Sequence, residues 1–88
     1  MITVKFLPRA EKQLLELYPP LQDEILSKVK MLSQFPYMGE AMGMAYAGYR
    51  CLLAGRGAYR IVYKVTSPAL VEIATIRHCR RQVGLRII

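Results

Sequence analysis

Eighty-eight residues, 53% of them hydrophobic and 22% charged, describe one small domain spanning 1–88 with enough apolar material for a core, and they exclude a disordered chain. No apolar run approaches the ~20 residues that span a bilayer, and Met1-Ile2-Thr3-Val4-Lys5-Phe6 alternates where a secretion signal would carry an apolar block, so no membrane partner is expected. The formal charge is +7, and all of it lies in the second half: residues 1–49 balance five cations with five acids, whereas residues 50–88 set eight cations against Glu72.

Seven of those eight cations are arginines, the fork-shaped donors suited to phosphate and carboxylate. Such an asymmetry points to a polyanionic partner, nucleic acid or an acidic protein, with a merely solvated basic surface as the plainer reading. Two isolated cysteines, Cys51 and Cys79, fit no zinc spacing. They read as small buried apolar groups of a reducing compartment, so a cytoplasmic location is expected. No metal or other cofactor is expected.

In chain order, Ile2, Val4 and Phe6 alternate with Thr3 and Lys5 as a short first strand. Pro8 then suits a first helical turn. Ala10, Leu14, Leu17 and Tyr18 follow helical spacing. Pro19-Pro20 stops this helix and opens a second, with Leu21, Ile25, Val29 and Leu32 in one stripe and Asp23 and Glu24 expected in its first turn. Phe35-Pro36 closes it. The pair forms a helical hairpin whose apolar seam needs a sheet. Residues 36–48 (PYMGEAMGMAYAG) have no clean period and read as a surface loop with room for one helical turn. Its Met38, Met42 and Met44 either face a partner or plug the edge of the core.

Residues 49–65, YRCLLAGRGAYRIVYKV, read as strand, turn and strand. Gly55-Arg56-Gly57 supplies the tight turn. From Ala58 to Val65 the period is two: Tyr59, Ile61, Tyr63 and Val65 share one face, and Arg60, Val62 and Lys64 the other. Tyr59 and Tyr63 are expected in the core with hydroxyls reaching the rim. Tyr49 could stack a base, though packing within the hairpin is the plainer reading. Thr66-Ser67-Pro68 is a turn. Leu70 to Ile76 forms a third strand with Val71, Ile73 and Thr75 on one face and Leu70, Ala74 and Ile76 on the other; apolar residues on both make it central. Glu72 is expected to pair with a cation of the neighbouring strand. The segment from Gln82 to Ile88 is a tail that either docks on the core or orders on a partner.

The run VKFLPRAEKQLLEL, then Pro36 and Gly39, then YRCLLAGRGAYRIVYKV and VEIATIRHCRRQ, together resemble the RelE/ParE superfamily of toxins from type II toxin–antitoxin modules. The likeness spans nearly the whole chain, and the order of the motifs is more specific than any one of them. It implies an α+β, RelE-like fold: an N-terminal strand, a two-helix hairpin, then a three-stranded antiparallel meander in one sheet with the helices on one face. It also implies growth arrest and a cognate antitoxin partner. The superfamily divides by target. RelE-like members cut mRNA on the ribosome, and ParE-like members poison DNA gyrase.

Metal-free RNA cleavage needs a base for the 2′-hydroxyl, cations for the pentavalent phosphate and an acid for the leaving oxygen. The resemblance places Arg60, Arg81 and Arg50 at the family's basic positions. His78, the only histidine, is the acid–base candidate, and its place at a strand end equally suits a structural role. Arg56, Lys64, Arg77 and Arg80 are then candidates for nucleic-acid contact. The meander is expected to gather Arg50, Arg60 and Arg81 on one open face. The tail carries no tyrosine where RNA-cutting relatives place a Tyr or His, and His-Cys-Arg-Arg-Gln is closer to ParE-like tails. The arginine excess and the GAYRIVYKV strand favour ribosome-dependent mRNA cleavage as the first reading. A gyrase poison without nuclease activity is the alternative, and a non-toxic binding module the third.

Overall fold

The computed structural model describes residues 2–79. The chain runs β1 (Thr3–Phe6), α1 (Pro8–Leu15), α2 (Pro19–Met31), β2 (Glu40–Ala41), a 3-10 turn (Met44–Tyr46), β3 (Arg50–Ala54), β4 (Tyr59–Ser67) and β5 (Leu70–His78). The strands form one sheet in the order β1-β5-β4-β3-β2. β1 lies parallel to β5, and every other pairing is antiparallel. The expected α+β architecture is therefore the observed one, with β5 an interior strand between β1 and β4 as its two apolar faces require.

Both helices cover one face. Ala10 and Leu14 of α1, and Ile25 and Val29 of α2 with Leu32 just after it, pack in a single cluster with Leu52, Ala54, Ile61, Tyr63, Val71, Ile73 and Ile76. Helical and strand periods thus deliver their apolar residues to the same layer, where burial stabilises each large side chain by roughly 1.5–3 kcal/mol. Ile61 and Tyr63 are fully buried and Tyr59 and Val65 are partly so, as the period of β4 requires. Tyr18 departs from expectation. α1 ends at Leu15, before the stripe reaches Tyr18, which stands 71% exposed. Gln22 of α2 donates to the Leu17 carbonyl at 2.7 Å, satisfying a carbonyl that the ended helix leaves open.

The faces of β5 also differ from the sequence reading. Val62 opposes Thr75 and Tyr63 opposes Ile73, so Ala74 has no partner in the register. This bulge inverts the phase. Ile76, not Thr75, joins Val71 and Ile73 in the core, and Thr75 passes to the face of Val62. β1 pairs with β5 only as far as Phe6↔Ile73. Beyond it, Gln13 of α1 takes over the strand's role: its Oε1 accepts the Ile76 amide at 2.7 Å and the Thr75 hydroxyl at 2.9 Å.

The 36–48 segment contains the expected helical turn and also β2, whose Glu40 and Ala41 pair with Cys51 and Arg50. Two residues are too few for an alternating pattern to reveal. Asp23 and Glu24 lie beyond the first turn of α2, because Pro19 already begins the helix. Glu24 acts elsewhere: its carboxylate accepts the Gly55 amide at 2.9 Å. Gly55, Arg56 and Gly57 all have positive φ (60°, 57° and 85°), and the bond pins this left-handed turn to α2. Glu24→Ala should therefore lower stability by about 1–2 kcal/mol, since a charge-assisted bond is lost. Glu24→Gln, whose amide oxygen can still accept, should recover part of it. Equal urea midpoints for wild type and Glu24→Ala would contradict this role.

Candidate functional site

The sheet face opposite the helices carries the charge. β4 presents Arg60, Val62 and Lys64 there, and β5 presents Thr75 and Arg77. Arg60 lies directly across from Arg77 in the β4–β5 register. Like charges directly opposed across a ladder cost stability, and the two guanidiniums concentrate positive charge at this point of the sheet. Lys64 sits four residues further along β4, opposite Glu72, whose carboxylate accepts the Thr66 hydroxyl at 2.7 Å.

Two tyrosines from the loop before β3 shape this face. Tyr46 and Tyr49 meet edge to face at 6.4 Å with an 85° angle between rings. The Lys64 ammonium lies 5.7 Å from the Tyr49 ring centre and the Arg77 guanidinium 5.6 Å from that of Tyr46. Arg77 also donates to the Tyr46 hydroxyl. These cation–π contacts hold two of the cations in place. Beneath them Val62 is 1% exposed although it lies outside the helix-side core. Tyr46 was not a candidate from sequence, because MAYAG has no period to assign it a face. Tyr49 packs within this pair.

Arg50 does not join Arg60. It opposes Tyr63 across the β3–β4 ladder and so lies on the helix side. Its Nε donates to the Gly39 carbonyl at 2.9 Å and an Nη to the Tyr37 carbonyl at 3.2 Å, with the guanidinium 5.3 Å from the Tyr37 ring centre. Its period-two position already implied this: Arg50 and Leu52 share a face, and Leu52 is core. His78 opposes Tyr59 and packs against that ring edge to face at 4.8 Å, and it also lines the cleft that holds Arg77, Thr75 and Tyr46. The expected gathering of Arg50, Arg60 and Arg81 is thus corrected for Arg50. Arg81 and Arg80 lie outside the described residues. Arg56 stands exposed at the hairpin tip.

Two hollows flank the Arg60–Arg77 pair. A cleft of about 530 Å³ between α1 and β5 is lined by Arg9, Gln13, Tyr46, Tyr49, Thr75 and Arg77, among others. A second, of about 580 Å³, lies along β2 and β3 and includes Arg60, Lys28, Met38, Met42 and Cys51. Met38 and Met42 therefore line a surface hollow rather than plug the core. Burial pushes the Cys51 thiol up, and the nearby Arg60 pulls only partly the other way. A thiol held protonated in this way is a poor nucleophile. Among the described residues, no three His, Cys, Asp or Glu side chains converge as metal ligands would, and no helix is long and apolar enough to cross a membrane.

Three structures show how widely this arrangement of strands and helices is shared. A chain of the RelBE2 toxin–antitoxin complex of Mycobacterium tuberculosis matches with a TM-score of 0.75 and 28% identity, over 88% of this chain and 96% of that one. The RelBE complex of Escherichia coli gives 0.76 at 18% identity over 90% and 98%, and the chromosomal ParDE system of Pseudomonas aeruginosa 0.71 at 20% over 89% and 96%. No curated sequence matches the chain significantly. The family model for the ParE toxin of the parDE type II toxin–antitoxin system matches residues 4–83. That match runs from β1 past the end of β5, so the chain belongs to the ParE toxin family, within the RelE/ParE superfamily of type II toxins.

Proposed function

We propose that this toxin arrests growth by binding its target rather than by cutting RNA, as a ParE-like poison of DNA gyrase, and that a cognate antitoxin silences it. One observation carries the reading. The face that bears Arg60 and Arg77 holds cations and tyrosines, whereas Arg50 is bound to loop carbonyls on the helix side. One of the four groups assigned to RNA chemistry, Arg50, is thus engaged away from the other cations, and a docking surface for an anionic partner remains. Relatives solved as toxin–antitoxin complexes support a proteinaceous antitoxin, and the basic half of this chain favours an acidic one.

Purified toxin should inhibit supercoiling by gyrase and, on expression, induce the DNA-damage response. Arg60→Ala combined with Arg77→Ala should raise colony survival by about tenfold or more, two charge-assisted contacts being lost. Full supercoiling activity at saturating toxin would sink the reading.

Ribosome-dependent mRNA cleavage is the second reading, and one observation favours it. The Tyr46 phenol is bonded to Arg77 on the face of Arg60, so an acid–base group stands beside the cations. Codon-positioned cuts in cellular mRNA after expression, lost in Tyr46→Phe, would establish it in place of the first.

A further inference from the structure

The cleft between α1 and β5 lies to the side of Arg60 and is built unlike a docking surface. Tyr46 and Tyr49 stand nearly perpendicular, forming a corner in which a flat ring can stack on one face and meet the other with its edge. Arg77 is held by the Tyr46 hydroxyl and ring, and a guanidinium has five N–H donors, so most remain for a ligand. Arg9 brings a second cation from α1. The back wall offers Gln13 and Thr75, already positioned by their mutual hydrogen bond. The floor is the buried Val62. Its volume falls within the few hundred to ~1,000 Å³ of small-molecule sites.

Aromatic walls, two guanidiniums and an amide select a ligand with a flat heterocycle and a phosphate. We propose that this cleft binds one nucleotide, the base in the tyrosine corner with its edge toward Gln13 and Thr75, and the phosphate between Arg9 and Arg77. The nucleotide is either free or part of a single strand. The site shares Arg77 with the surface proposed above, but its test turns on Arg9: a chain that inhibits gyrase and ignores nucleotides refutes only this inference.

The test is amide NMR titration of the full chain with AMP, with adenosine and with a five-residue single-stranded oligoadenylate. AMP should shift the Gln13, Tyr46, Thr75 and Ile76 amides. Adenosine, lacking the phosphate, should bind about tenfold more weakly, as should AMP to Arg9→Ala. Arg9 is exposed on α1, so that variant should keep the wild-type spectrum. Lys30→Ala, which removes an exposed cation from α2, should leave the affinity unchanged. An oligonucleotide bound about tenfold tighter than AMP identifies a strand as the ligand, and equal affinities identify the free nucleotide. The inference is overturned if neither AMP nor the oligoadenylate shifts these amides at millimolar concentration, or if Arg9→Ala binds AMP as tightly as wild type.

Discussion

Gly39→Ala is expected to cost about 3–5 kcal/mol, a large share of the ~5–15 kcal/mol that stabilises a domain of this kind. A Cβ at this position would lie 2.7 Å from the Cys51 carbonyl oxygen and 2.7 Å from the Tyr63 hydroxyl. Neither neighbour can retreat. The carbonyl belongs to a strand paired on both sides, and Tyr63 is fully buried at the centre of the sheet. Moving the loop outward instead breaks the Gly39 amide's bond to Tyr63 and the Arg50 bond to the Gly39 carbonyl, each 2.9 Å. Overpacking of ~1–3 kcal/mol and two stretched bonds of ~1 kcal/mol each make up the total. The urea midpoint should fall by roughly 2 M or more; an unchanged midpoint would mean that the loop yields freely and that the account of Gly39 is wrong.

The second large effect concerns the other partner of that contact. The Tyr63 hydroxyl accepts from the Gly39 amide and donates to the Pro36 carbonyl at 2.9 Å. Tyr63→Phe keeps the ring and leaves both backbone groups without that partner, at a cost of about 2 kcal/mol. A pH signature accompanies it. Burial raises the Tyr63 hydroxyl above the ordinary tyrosine value of about 10, against the opposing pull of Gly39 and Arg50. The unfolded chain therefore loses this proton first. The bond's contribution is complete below about pH 10 and declines as pH rises from there toward the folded value. Other groups titrate in the same range, so the measurement is the difference between wild type and Tyr63→Phe. That difference should be flat from pH 7 to 9 and shrink above 10. A difference that grows above pH 10 would refute the assignment.

These two residues mark the boundary between what the residues announced and what they concealed. The alternation of Tyr59, Ile61, Tyr63 and Val65 placed Tyr63 in the core, because a strand's side chains have only two directions. The same alternation could have separated Arg50 from Arg60: Arg50 shares a face with Leu52. The reading instead followed the positions of family cations, which specify a place along the chain but not a side of the sheet. For β5 the rule itself failed. A bulge at Ala74 inserts one residue, and no residue type there signals it, so Thr75 and Ile76 exchanged faces. Tyr46 escaped for a different reason. It reaches Arg77 from a loop without a period, and only the path of the backbone brings them together.

Periodicity, proline placement and the glycine turn were sufficient for the strand–helix–helix–meander order, since each depends on local geometry alone. The lopsided charge, likewise a property of the chain, pointed to an anionic partner. Which cations face that partner depends on pairing register, on one bulge and on where a loop folds back. These are set by contacts between segments tens of residues apart, as when Arg77 meets Tyr46 and Arg50 meets Gly39. The opposition of Arg60 and Arg77, and the engagement of Arg50 on the helix side, are therefore products of the tertiary structure.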